Sequence, residues 1–255
     1  MKKSIFIIAI LLFMVSASAK AQNFQGKIYY SSKSKVHSVQ NMDKFTDEQK
    51  AAIKMGQDAA SAKKYVLKFN KNHSLFTEDI KLSLLPTRPM RSGGGMNLIN
   101  SPGNFYKDLE TKSYVNQRDL FGKQFIIQDE LKTIDWQKTD EVKTIGKYLC
   151  FKATAQIANT NKYDDDDNQG ETITVVAWYT LDIPVSQGPG MYWGLPGLIL
   201  EVQSEDVVYL CSKIELSKAD DIEIAKPKAG KKISNKKYDN LFAQKLQDLK
   251  DRHAN

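Results

Sequence analysis

Histidine is scarce. His37, His73 and His253 are the only three in 255 residues. None sits in a metal-ligand spacing such as H-x-x-x-H, and all three read as solvent-facing side chains. The G-x-S-x-G elbow that presents a hydrolase serine is also missing. No catalytic residue, metal ligand or cofactor is therefore expected. Carboxylate pairs leave little local signature, so they are the enzymatic route that stays open.

An excess of one charge is lacking too. The formal charge is +7, from 37 basic and 30 acidic residues. Removing Lys2, Lys3 and Lys20 with the leader described next leaves 34 basic residues against 30 acidic, a net +4. That is an ordinary solvated surface. It excludes a nucleic-acid footprint.

After residue 21 there is no long apolar run. A membrane-spanning helix takes about 20 such residues, so no transmembrane segment is expected in the mature chain. The one apolar run opens the sequence. Lys2 and Lys3 precede it, Ile5 to Val15 form it, and Ala17-Ser18-Ala19-Lys20-Ala21 follows with small residues at cleavage spacing. Residues 1–21 read as a secretory signal peptide, cut after Ala21. No cysteine follows to carry a lipid anchor at this end. Residues 22–255 are then expected to form a single exported domain, in the periplasm, at the outer membrane or outside the cell.

Cysteine is rare: Cys150 and Cys211 are the only two. In an exported chain such a pair can form a disulfide. If their strands are neighbours, a Cα separation near 5.5 Å permits the bond. Two unpaired, partly buried thiols are the other reading.

What the sequence does have is period-two alternation. Phe24 to Tyr30 reads as a first strand. Tyr65, Leu67 and Phe69 alternate with polar residues, Asn70-Lys71-Asn72 turns the chain, and His73 to Thr77 returns. Short strands are expected at Phe105-Tyr106, Ser113 to Asn116 and Lys123 to Gln128. In Tyr148 to Ile157, one face carries Leu149, Phe151, Ala153, Ala155 and Ile157. In Glu171 to Leu181, one face carries Ile173, Val175, Ala177, Tyr179 and Leu181. Leu198 to Gln203 and Val207 to Ile214 add a last pair. The capping-box pattern at Thr46 to Gln49 opens a helix running to about Ala62. Ser234 caps a helix over about 235–252, with the stripe Tyr238, Leu241, Phe242, Leu246 and Leu249. The expected fold is mainly β: one curved, half-barrel-like antiparallel sheet with a helix near each end.

Two loops invite a ligand reading. Asp165 to Gly170 begins like a calcium loop, but its twelfth position is Val176, inside a strand. It reads as a solvated hairpin tip. Gly93-Gly94-Gly95 lies between Pro89 and Pro102 without the strand and helix that a phosphate loop needs. It reads as a long loop.

The most distinctive string is Gly194-Leu195-Pro196-Gly197-Leu198-Ile199-Leu200. Pro196 and Gly197 fit the two centres of a type II turn, with φ > 0 at Gly197. The string then reads as a corner that returns the chain to the sheet. A recognition surface built from Trp178, Tyr192 and Trp193 beside that corner is the alternative.

These residues resemble a family. Gly194 to Glu201 is similar to the signature of the GLPGLI family of exported Bacteroidota proteins. Ala177-Trp178-Tyr179-Thr180, Asp182-Ile183-Pro184, Gly188-Pro189 and the Ile145 to Ala153 strand resemble the segments before it, and Trp136 fits as well. The resemblance implies an exported, mainly β protein with no assigned activity. It further implies an accessory role beside TonB-dependent outer-membrane transporters. The expectation is a non-enzymatic envelope module that binds an outer-membrane protein or an apolar or peptide-like ligand. An envelope hydrolase acting on peptide or glycan is the alternative.

Overall fold

Alternating apolar side chains need a surface to bury against, and here each strand supplies it to the next. The computed structural model describes residues 24–34, 46–47, 50, 62–79, 103–120, 122–158, 172–204, 207–217 and 222–254. Twelve strands are present among them. These are β1 (Gln25–Ser34), β2 (Ala62–Phe69), β3 (His73–Glu78), β4 (Asn104–Asp108), β5 (Ser113–Leu120) and β6 (Lys123–Glu130). The second half of the chain adds β7 (Gln137–Ile145), β8 (Tyr148–Ala158), β9 (Thr172–Thr180), β10 (Leu198–Gln203), β11 (Val207–Ser217) and β12 (Lys231–Ile233). A helix, α1, spans Asn235–Ala254.

The strands form one sheet in the order β12-β6-β5-β4-β3-β2-β1-β11-β10-β9-β8-β7. Two meanders, β1 to β6 and β7 to β11, join where β11 pairs with β1. All pairings are antiparallel except β12 with β6. The sheet is open, with β12 and β7 at its edges. Among the described residues no helix is long and apolar enough to cross a membrane.

One core joins distant strands. It contains Tyr30 of β1, Leu67 and Phe69 of β2, Phe76 of β3, Phe105 of β4, and Val175 and Ala177 of β9. In a flat sheet, β3 and β9 would stand five strand spacings apart, roughly 24 Å. Sharing one core requires the sheet to curl. The hollow is filled by the segment between β9 and β10, whose Ile183, Val185, Tyr192 and Leu195 belong to the same core. The expected curved, half-open sheet is what forms.

The filling segment is irregular, so its backbone groups need partners. Some are internal: Val185 N donates to Ile183 O (2.8 Å) and Tyr192 N to Pro189 O (3.1 Å). Others come from β10: Leu198 N donates to Ile183 O (2.9 Å) and Ile199 N to Gln187 O (3.0 Å). Two more come across the hollow. Lys107 of β4 is fully buried. Its Nζ donates to Gly188 O at 2.7 Å and to Tyr192 O at 2.9 Å. A lysine in a core is rare unless its head is bonded. Here it ties the far meander to the segment.

The last helix covers the end of the sheet. Ser234 caps it, Oγ accepting from Lys237 N at 3.3 Å. Tyr238 and Phe242 pack on Leu120, Phe125 and Ile127. The ring of Tyr238 meets Phe125 edge-on at 5.8 Å. The Leu246 and Leu249 side chains lie outside the described ones, as do residues 1–23 and most of the expected first helix. Lys50 N does donate to Thr46 O at 2.9 Å, one helical turn.

Two expected placements need correcting. Leu149 and Leu181, placed on the buried face, are 49% and 48% exposed, while their neighbours Cys150 and Thr180 are fully buried. Two strands carried no alternation. β7 has a largely exposed sequence at an open edge, and β12 is three residues attached to β6.

Burial pushes the Lys107 amine down from 10.5 to about 7. The unfolded chain therefore binds a proton that the folded chain refuses between about pH 7 and 10.5. Stability should rise with pH across that window and be lowest below it. We predict that wild type gains roughly 4 kcal/mol relative to Lys107→Met between these limits. Denaturant unfolding at several pH values measures this.

Candidate functional site

The segment that fills the hollow also shapes the surface above it. Within Gly194 to Pro196 the side chains alternate. Leu195 is buried in the core, whereas Gly194 and Pro196 are exposed. Residues 131–136, which lead from β6 to β7, run beside them. Trp136 is held there, its Nε1 donating to Trp193 O at 2.7 Å. Between the two lies an open groove of about 540 Å³. Trp136 and Ile134 give it apolar surface, Pro184 and Pro196 give it rigid walls, and Asp135 and Lys138 stand at its rim. Both rim charges are exposed.

The glycines explain the local shape and correct the expected turn. Gly197 does not have a positive φ; Gly194 does, at 97°. Gly197 is needed for a different reason. A Cβ there would lie 2.0 Å from Thr180 O, so only glycine lets β10 approach β9 at this point. The Pro-Gly pair is a close-packed entry to a strand and not a type II turn. Leu198 and Ile199 then enter the core fully buried.

The expected Trp178, Tyr192 and Trp193 surface does not assemble. Tyr192 and Trp193 are buried, at 7% and 8% exposure, because they belong to the filling segment. Trp193 Nε1 donates to Lys132 O at 3.0 Å. Trp178 lies on the opposite, polar face of β9. Lys143 Nζ sits 4.3 Å from its ring centroid and 2.7 Å from Glu201 Oε2. The side chain the sequence reading passed over is Trp136. The sequence reading named it only as fitting the family resemblance.

Cys150 and Cys211 are both free thiols. The condition for a disulfide, neighbouring strands, is not met. β9 and β10 lie between β8 and β11. Of the other candidate positions, Gly93 to Gly95, Asp164 to Gly170, His37 and the His253 side chain lie outside the described residues. His73 sits at the start of β3, beside Asp108.

The fold is thus an open, curled antiparallel sheet wrapped around an inserted segment, with a groove on that segment's outer side. Residues 136–201, which include most of the groove, match a family described as "Protein of unknown function (Porph_ging)". No curated protein matches the chain. Two solved structures of PNGF-II share the fold, with TM-scores of 0.51 and 0.50 at 15% and 16% identity. Each match covers 86% of this chain, which spans only 32% and 33% of the PNGF-II chains. The lipoprotein LppX of Mycobacterium tuberculosis matches over 85% of this chain and 98% of its own, at 10% identity and a TM-score of 0.29. That last likeness is too distant to carry an argument.

Burial pushes both thiols up to about 11. A thiol reacts as its thiolate, so near neutral pH both should be inert. Iodoacetamide labelling read by mass spectrometry should modify neither cysteine in the native protein and both after denaturation. Non-reducing and reducing masses should be identical, since reduction of a disulfide would add two hydrogens.

Proposed function

We propose that this chain is an exported binding or accessory module of the cell envelope, of the GLPGLI kind. Its groove takes an extended peptide segment of a partner protein, with an outer-membrane protein as the favoured source. The observation that carries this reading is the groove itself. A tryptophan whose indole nitrogen is already bonded offers an apolar face at little entropic cost. Two prolines fix the walls. One acidic and one basic side chain at the rim suit the N–H and C=O groups and the charges of a peptide backbone. The ionisable side chains of the groove are of opposite sign, an arrangement for orienting a ligand and unlike the carboxylate pair of a glycan hydrolase. The signal-like residues 1–21 support export, and the match to residues 136–201 places most of the groove within the family segment.

The test is selection of a displayed random-peptide library on the purified mature protein, followed by titration of the enriched peptides. Peptides rich in apolar residues are expected. Binding should weaken at least roughly tenfold in Trp136→Ala, since a buried aromatic anchor is worth more than about 1 kcal/mol, and by less in Lys138→Glu, whose charge is exposed at the rim. Trp178→Ala, on the opposite face, should bind like wild type. Peptides that bind Trp136→Ala and Lys138→Glu as well as wild type would remove the groove from the proposal.

A further inference from the structure

The two hairpin turns at one end of the sheet bring together groups that the sequence keeps apart. The β2–β3 turn, residues 70–72, leads into His73, and the β4–β5 turn, residues 109–112, follows Asp108. Because β3 pairs with β4 in the register His73 opposite Asp108, the turns are neighbours. Glu110 adds a second carboxylate. One ligand atom from each of His73, Asp108 and Glu110 falls within 4.8 Å of the others. We propose that these three side chains bind a divalent transition cation of the Zn²⁺ class.

The spacing is the first argument. His73 Nε2 stands 3.8 Å from Asp108 Oδ1. That is too long for a hydrogen bond. It is close to the roughly 3.4 Å that separates two ligands of one tetrahedral ion with metal bonds of about 2.1 Å. A small side-chain rotation closes the difference.

The supporting contacts are the second. The imidazole is stacked on Tyr106, with ring centroids 6.0 Å apart and planes 22° from parallel. This restrains the plane of the imidazole. Asp108 Oδ1 accepts from Glu110 N at 3.0 Å and Thr111 N at 3.1 Å, which fixes the carboxylate. Asn72 Nδ2 donates to Glu110 Oε1, so the outermost ligand is also held. Such outer contacts are the usual companions of metal ligands.

Donor chemistry selects the ion. Calcium and magnesium take oxygen ligands, whereas an imidazole with two carboxylates suits zinc, manganese or iron. Three protein ligands leave a coordination position for water or for a side chain of a partner. The His73 side chain is 32% exposed, so an ion has a route in.

Calorimetric titration of the tag-free mature protein with ZnCl₂ tests this. One Zn²⁺ per chain is expected, undisturbed by excess Mg²⁺. His73→Ala should abolish saturable binding. Glu110→Gln, at an exposed position, should weaken it by more than the roughly tenfold loss expected for the outer contact removed in Asn72→Ala. His37→Ala should bind like wild type. Zinc binding that survives His73→Ala, or displacement by Mg²⁺, identifies an adventitious surface ion and overturns the proposal. Absence of saturable binding to folded wild type overturns it as well.

Discussion

A single amine holds two halves of this protein in one arrangement. Lys107 leaves β4 and reaches the carbonyls of Gly188 and Tyr192 inside the hollow of the sheet. A twelve-stranded sheet with one apolar face has many ways to curl. An irregular segment inside it has unpaired carbonyls that cannot meet water. Each unpaired carbonyl would cost about 1–3 kcal/mol. One lysine answers two of them and fixes which part of β4 faces which part of the segment. The ammonium is strained by its burial, which is why its affinity for protons falls.

From that bond the surface follows. With the segment seated, Leu195, Tyr192 and Trp193 are drawn inward and Gly194 and Pro196 are left outside. Trp193 presents its carbonyl to Trp136, which settles the indole along the groove. The tight approach of Gly197 to Thr180 sets the height at which the chain re-enters the sheet. The string Gly194 to Leu200 is thus a packing device that also forms one wall of a groove. Its apolar residues serve the core, and its glycine and proline form the outer wall.

Much of the sheet could be read from the sequence, because a buried face writes itself as alternation. β2, β3, β8, β9 and the last pair of strands were evident for that reason, and Ser234 marked the helix start. β7 was not legible: at an exposed edge nothing selects apolar residues, and its sequence looks like a loop. Trp178, Tyr192 and Trp193 were misjudged together, because aromatic content does not reveal which way an irregular segment turns. The role of Gly197 was misread for a related reason. A glycine required by a close backbone approach looks the same in sequence as one required by a positive φ. Lys107 and the meeting of His73 with Asp108 and Glu110 depend on register and on long-range closure, which local patterns do not carry.

Hydrogen exchange read by mass spectrometry, on wild type and Lys107→Met, addresses the role of the buried amine most directly. Removing the amine should speed exchange in residues 183–199 while β1, β2 and β11 stay protected, since their ladders do not involve it. Unchanged exchange in residues 183–199 would contradict the central role given to Lys107.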